Sequence, residues 1–258
     1  KKRGTQAVQR QADGIQMAVK GGFLRLQVWS DRIVRVVFSP AETLPQRPAL
    51  AVVGTPDPAT AWDCEVLKDE VRLGTVSLQV RVAKATGAVT FADARGRVIT
   101  REKPGGRSLT EAKVCREKTW HAQQEFVLAR DEAVYGLGQY QDGVMNYRGR
   151  RIHLFQKNKI AALPVLISSR GYGLLWDNAS STWFEDGTWW SEVADGIDYY
   201  FIQGPALDDV VRGYRQLTGP VPMFGRWAYG LWQSKEHYHT QAELLDVVRE
   251  YRRRGVPL

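Results

Sequence analysis

The sequence predicts a mainly β fold: an antiparallel β-sandwich followed by one strand and one helix that open an α/β unit. Three observations predict it. Apolar and polar residues alternate with period 2 through the first half of the chain, turn chemistry separates the alternating runs, and the period becomes helical after about residue 204. With 258 residues there is room for one or two domains with a substantial core.

The elements follow in order. Leu24, Leu26 and Val28 alternate with Arg25, Gln27 and Trp29, and Val34, Val36 and Phe38 alternate with Ile33, Arg35 and Val37, which predicts two strands. Pro40, Pro45, Pro48, Pro56 and Pro58 predict a surface loop, because proline removes ladder donors. Thr75 to Val82 reads as a strand with Val76, Leu78, Val80 and Val82 on one face and Thr75, Ser77, Gln79 and Arg81 on the other. Thr86-Gly87 marks a turn, and Asp93-Ala94-Arg95-Gly96 joins a strand ending near Phe91 to one containing Val98 and Ile99. Short strands over 120–128, 164–168, 172–176 and 199–202 complete an antiparallel sandwich.

Leu207, Val210, Val211, Tyr214 and Leu217 then lie on one helical face, opened after Pro205 and closed by Gly219-Pro220. The apolar run Trp227 to Trp232 reads as a strand. Thr240 with Glu243 forms a capping box ahead of the stripe Leu244, Val247, Val248 and Tyr251. Arg252, Arg253 and Arg254 suit the negative end of that helix, Gly255 suits its C′ position, and Val256-Pro257-Leu258 reads as entry into a further strand. A strand and crossover helix need a following strand to pair with, so the chain is expected to be a piece of a longer protein.

Composition narrows the function. Apolar residues at 43% and charged residues at 25% are the ordinary globular balance, which excludes disorder. No run approaches the roughly 18 apolar residues of a membrane helix, so no membrane partner is expected. Lys1, Lys2 and Arg3 precede no apolar stretch, so no intact signal peptide is read here, and the missing Met points to trimming. Cys64 and Cys115 allow at most one disulfide and have no metal-ligand spacing. The net charge of +8 would serve nucleic acid only if it formed one contiguous face. Arg148-Gly149-Arg150-Arg151, with Lys157 and Lys159, reads more simply as a solvated strand face, and no nucleic-acid partner is expected.

Few residues point to chemistry. Tyr135-Gly136-Leu137-Gly138-Gln139-Tyr140 lacks the third glycine of a dinucleotide fingerprint; it reads as a strand ending in a tight turn, or as a loop bringing Tyr140 to a ligand. His121, His153, His237 and His239 fit no zinc pattern, and no metal or cofactor is expected. The serines lack a nucleophile elbow. Asp177, Glu185, Asp186, Glu192, Asp195 and Asp198 could pair as acid and base, but they flank tryptophans and read as residues of surface loops. Six of the nine tryptophans fall between 176 and 232. Core packing accounts for most of them, and two or three remain for ligand contact or an interdomain seam, since tryptophan faces with polar rims suit sugars.

Tyr135 to Tyr140, then Ser169-Arg170-Gly171-Tyr172-Gly173-Leu174-Leu175-Trp176-Asp177-Asn178, then Gly230-Leu231-Trp232-Gln233-Ser234-Lys235-Glu236 together resemble glycoside hydrolase family 31, in that family's order. The wording is most similar to bacterial α-xylosidases, with α-glucosidases and transglucosidases as neighbours. The resemblance implies a galactose-mutarotase-like sandwich over residues 1–221 and the start of a catalytic (β/α)8 barrel over 222–258. It implies a retaining glycosidase with two aspartates about 5 to 5.5 Å apart. No position of this sequence matches either aspartate, so no catalytic residue is assigned and the chain alone is expected to be inactive.

By the same resemblance Tyr140 is the aromatic that the sandwich lends to the mouth of the active site. Asn158, within the segment 156–160, shapes the leaving-group side. Lys235 and Glu236 border the sugar at the C-terminal end of the first barrel strand, and Trp232 packs inside the barrel. The implied partners are an oligosaccharide of xyloglucan type and the remainder of the barrel, in a secreted or periplasmic setting. One departure weakens the polymer assignment: the chain runs from Trp183-Phe184 directly into Gly187 and Trp189, without the inserted module of several xyloglucan-active relatives. A carbohydrate-binding sandwich without catalysis is the alternative from another class.

Overall fold

The computed structural model describes residues 8–44 and 49–258. Pro45, Pro48 and the basic start lie outside the described residues. The chain divides into two compact units, 1–219 and 220–258.

The strands of the first unit are β1 (Val8–Gln11), β2 (Gly14–Val19), β3 (Gly22–Ser30), β4 (Ile33–Ser39), β5 (Trp62–Val66), β6 (Glu70–Thr75), β7 (Leu78–Ala83), β8 (Val89–Asp93) and β9 (Val98–Val114). They continue as β10 (Glu117–Val127), β11 (Val134–Gln139), β12 (Arg151–Leu154), β13 (Ala161–Ser168), β14 (Tyr172–Trp176), β15 (Thr182–Glu185), β16 (Thr188–Ala194) and β17 (Ile197–Gln203), and helix α1 spans Leu207–Thr218. Two antiparallel sheets result, in the orders β1-β2-β3-β4-β17-β14-β13-β11 and β12-β15-β16-β10-β9-β8-β7-β6-β5. Their inner faces share one core: Ile15, Met17 and Leu24 from the first sheet are fully buried with Val71, Leu73 and Val80 from the second. Each such side chain contributes about 1.5–3 kcal/mol on burial.

Side-chain contacts, apolar and polar, bridge the two sheets. Phe91 and Phe201 stack at 4.1 Å, Trp176 Nε1 donates to Ser191 Oγ at 2.9 Å, and Tyr199 Oη donates to Glu102 Oε1 at 2.7 Å. The buried Glu102 carboxylate also accepts from Val89 N–H at 2.8 Å and pairs with Arg107 at 2.5 Å. Burial pushes the Tyr199 hydroxyl well up, and the Glu102 charge adds to that.

The outer face of the first sheet is covered by α1. Val210 and Leu217 are buried against Trp29, Tyr200 and Ile202, while Leu207 and Val211 of the same stripe remain largely exposed. A Cβ at Gly213 would stand 2.5 Å from Ile202 Cγ2, so the helix approaches the sheet only with glycine there.

In two places the structure departs from the sequence reading. The strand expected over Thr75 to Val82 starts at Leu78; residues 76–77 form the turn between β6 and β7, and Val76 is 79% exposed. The Thr75 hydroxyl accepts from Ser77 and Leu78 N–H, a local turn that outcompetes continued alternation. The second unit contains a 3-10 helix, Arg226–Tyr229, and helix α2, Gln241–Arg253, but no strand over Trp227 to Trp232 and none at Val256 to Leu258. A parallel strand is held by ladder bonds from its neighbours, and residues 220–258 contain no second strand to supply them. The backbone instead closes on itself, Ala228 N–H to Gly225 O at 3.0 Å and Gly230 N–H to Trp227 O at 3.3 Å. Among the described residues no helix is long and apolar enough to cross a membrane.

Candidate functional site

The glycine segment singled out in the sequence is strand β11, which faces a bulge in β13, where residues 163–165 stand opposite Leu137 alone. Gly136 pairs with Leu166 and Gly138 with Ala162, leaving Leu137 between them with φ 61° and its side chain fully buried. Gly138 has φ 115°, and a Cβ there would lie 1.9 Å from Ala161 O. β11 stays paired through Gln139, and Tyr140 follows directly. That ring is half-buried edge-on against Tyr147 at 5.8 Å, and its hydroxyl donates to Leu137 O at 3.1 Å. Burial, with the neighbouring Tyr147 and Asp142, pushes the hydroxyl up to about 12.

The connection that follows is pinned. Asn146 Oδ1 accepts from Val134 N–H at 3.0 Å, Arg148 donates to Ala129 O at 2.9 Å, and Asp186 Oδ1 accepts from Gly149 N–H at 2.8 Å. Of the basic run, only Arg151 lies on a strand. Gln156 closes a second turn, donating to Ile160 O and accepting from Ala162 N–H at 3.1 Å. Asn158 is exposed in that turn, and among the described residues its side chain makes no hydrogen bond. Gln139 pairs with Ala161 and Val165 with Leu175, so Tyr140, Asn158 and the loop 177–180 leave the sheet at the same end.

Two clefts flank that loop. One, of about 250 Å³, is lined by Leu50, Gln156, Ala162, Pro164, Asp177 and Ser180; the other, of about 470 Å³, by Val37, Leu50, Asp177, Asn178, Asp195 and Asp198 among others. Asp198 lies on β17, and Asp177 directly follows β14, its N–H donating to Asp198 O at 2.9 Å. The expectation that the carboxylates between 177 and 198 belong to surface loops fails at Glu185, Glu192 and Asp198, which lie on β15, β16 and β17. Arg35 grips Asp198 through two bonds, at 2.9 and 2.5 Å, while its guanidinium lies over the Tyr200 ring. Burial and the Asp198 charge push the Asp177 carboxyl up to about 6, with Arg35 pulling the other way. Sequence reasoning named both aspartates but set them aside as loop residues, and it missed Arg35. The signal was there in Arg35, a charged residue inside an apolar alternation, but its partners sit more than a hundred residues away in the chain.

In the second unit, Thr240 caps α2 by accepting from Glu243 N–H at 3.1 Å. Glu243 reaches past Thr240 to His239 N–H at 2.9 Å and pairs with Lys235 at 2.5 Å, and the Lys235 pair holds its carboxyl below the usual range. Lys235 therefore has a structural partner, whereas Glu236 is exposed and has none among the described residues. Trp227, Leu231, Trp232, Leu244, Val248 and Leu258 line an apolar cavity of about 330 Å³. Trp232, expected inside a barrel, is 67% exposed, as is Trp227. Among the described residues no three metal-ligating side chains gather, and Cys64 and Cys115 are free thiols.

Comparison with known proteins is decisive on the family. Residues 23–185 match the glycosyl hydrolase 31 N-terminal galactose mutarotase-like domain, and residues 221–258 match the family 31 TIM-barrel domain. The chain belongs to glycoside hydrolase family 31. Within the family it is 36% identical, over 208 residues, to an alpha-xylosidase of Saccharolobus solfataricus, which covers 73% of this chain and 27% of the relative. It is 26% identical to alpha-glucosidase 2 of Bacillus thermoamyloliquefaciens, covering 92% of this chain and 31% of that one. The crystal structure of the family 31 alpha-xylosidase from Xanthomonas citri superposes with a TM-score of 0.87 at 25% identity, over 96% of this chain and 44% of that chain. The chain thus spans less than half the length of each of these family members.

Proposed function

We propose that the chain is the N-terminal part of a retaining α-glycosidase that releases terminal α-linked xylose from xyloglucan-type oligosaccharides. In this reading the sandwich is scaffold, Tyr140 and Asn158 form part of the pocket rim, and Lys235 and Glu236 border the sugar. Both reacting aspartates would lie beyond residue 258, and the chain alone would be inactive. The observation that carries the reading is the 36% identity to an alpha-xylosidase across most of the chain. The shared sheet end of Tyr140 and Asn158, set by the β11–β13 register, supports a common rim. The relative named alpha-glucosidase supports a second reading, cleavage of α-linked glucose or its transfer to another sugar.

The test is an assay with nitrophenyl α-xyloside and nitrophenyl α-glucoside. The chain alone should release nitrophenol from neither. Joined to a complete barrel it should prefer the xyloside; preference for the glucoside would establish the second reading, and turnover by the chain alone would refute the division of labour.

A further inference from the structure

Strand β9 outruns its sheet. β8 flanks it only from Val98 to Arg101, whereas its pairing with β10 continues to Val114. From Ser108 to Val114, β9 therefore has β10 on one side and no strand on the other, and Ser108, Thr110, Glu111 and Lys113 are exposed. Such an edge is a row of unpaired N–H and C=O groups, a template for another strand.

The turn fixes which groups face outward. Cys115 and Arg116 have φ of 49° and 71° and form a two-residue hairpin turn between the paired residues Val114 and Glu117. The pair that flanks such a turn is hydrogen-bonded, and bonding alternates from there. Val114, Ala112, Thr110 and Ser108 thus direct their backbone groups at β10, and Lys113, Glu111 and Leu109 direct theirs away from it. On the face that Glu111 shares with Lys113, Lys113 stands opposite Lys118, a like-charge pair that disfavours the ribbon. Among the described residues neither lysine nor Glu111 has an ion-pair partner.

A second copy of this edge can supply one. Antiparallel pairing must join outward groups to outward groups, so the twofold axis passes through a residue and not between two. An axis at Glu111 or Lys113 sets like charges together, one at Thr110 sets Glu111 against Leu109, and one at Leu109 needs Arg107, which Glu102 already holds inside the sandwich. An axis at Ala112 sets Glu111 of each copy against Lys113 of the other, two opposite-charge pairs at hydrogen-bonded positions, with Thr110 against Val114 on the reverse face. We propose that the free edge of β9 is a self-association site where two copies of the chain pair antiparallel about Ala112. The pairing is isologous, closes after two copies, and owes nothing to the glycosidase reading.

The full chain carrying Cys115→Ser, which removes an exposed thiol, would be followed by sedimentation velocity at several concentrations and salt levels. So short an edge buries less than a standard interface, and a reversible dimer with a dissociation constant of about 0.1 mM is expected, weaker as salt rises. Lys113→Glu and Glu111→Lys each set like charges together twice and should weaken it about tenfold. The double variant restores opposite charges and should recover the dimer. Ala112 meets its own copy at a non-hydrogen-bonded position, where Cα atoms stand about 4.5 Å apart, so Ala112→Cys in the same background should cross-link the dimer on mild oxidation. The substituted side chains lie outside the core, and unchanged thermal unfolding confirms that the variants fold. A chain that stays monomeric, association indifferent to the single reversals, or a double variant as weak as the singles would overturn the proposal and leave Glu111 and Lys113 as charges that keep the edge unpaired. Association without the Ala112→Cys cross-link would overturn the pairing about Ala112.

Discussion

Replacing Asp177 by asparagine is expected to stabilise the chain at neutral and alkaline pH and to leave it unchanged in acid. Asp177 lies beside Asp198 at the edge of the cleft, with its carboxyl lifted from an ordinary 3.8 to about 6 by burial and by the Asp198 charge. A carboxyl whose folded-state pKa is raised holds its proton more tightly in the folded chain than in the unfolded one. Folding is therefore favoured while the group is protonated, and stability falls as pH rises through the window between 3.8 and about 6. Above that window the whole shift opposes folding, at most ~3 kcal/mol. Asp177 keeps part of its solvent exposure, and screening reduces the figure to about 1–2 kcal/mol. Asparagine has the same shape without the charge, so at about pH 8 it should raise the midpoint of thermal unfolding by about 2–8 °C, and at about pH 4 by nothing measurable. The assay is thermal unfolding of both proteins at several pH values. An equal gain at both ends would mean that packing, not charge, is responsible. A loss at high pH would mean that Asp177 stabilises Arg35 more than it repels Asp198, and the reasoning would be wrong.

Other perturbations test other joints of the structure. Glu102→Ala removes the acceptor of the Arg107, Tyr199 and Val89 bonds and leaves all three donors buried, so urea unfolding should show a loss of about 3–5 kcal/mol. Gly138→Ala forces a Cβ against Ala161 O at a positive φ; a loss of about 2–3 kcal/mol is expected, with faster proteolytic cleavage in the connection that carries Tyr140, and wild-type resistance would show that the β11–β13 pairing is not what places it. Thr240→Ala removes the cap of α2, and amide exchange at Glu243 should accelerate by an amount corresponding to about 1 kcal/mol.

Much of the fold was legible because its cause is local. β3 and β4 follow from alternation, β14 and β17 from short apolar runs between turn residues, α1 and α2 from helical spacing, and the cap at Thr240 from residue type. The strand expected at Trp227 to Trp232 was misread because an apolar run shows readiness to pair but not the partner, and the 3-10 helix there is what the backbone forms from its own donors. Of the candidate residues, Tyr140 could be foreseen as the end of a glycine-rich strand, while the partner of Lys235 could not, since Glu243 also reads as a capping residue.

The tryptophans mark the boundary between the two kinds of knowledge. Their clustering between 176 and 232 is plain in the sequence, and so is the family to which the surrounding segments belong. Which of them are core and which are surface depended on how the strands met. Trp189 and Trp190 are chain neighbours, yet one is fully buried and the other lies on the outer face of the second sheet, because adjacent side chains leave a strand on opposite faces. The Arg35–Asp198–Asp177 group likewise exists only because β17 lies between β4 and β14. Alternation and spacing act over a few residues and can be read in the sequence; a cleft is built from strands paired across more than a hundred residues, and that pairing arises from the packing of the whole core.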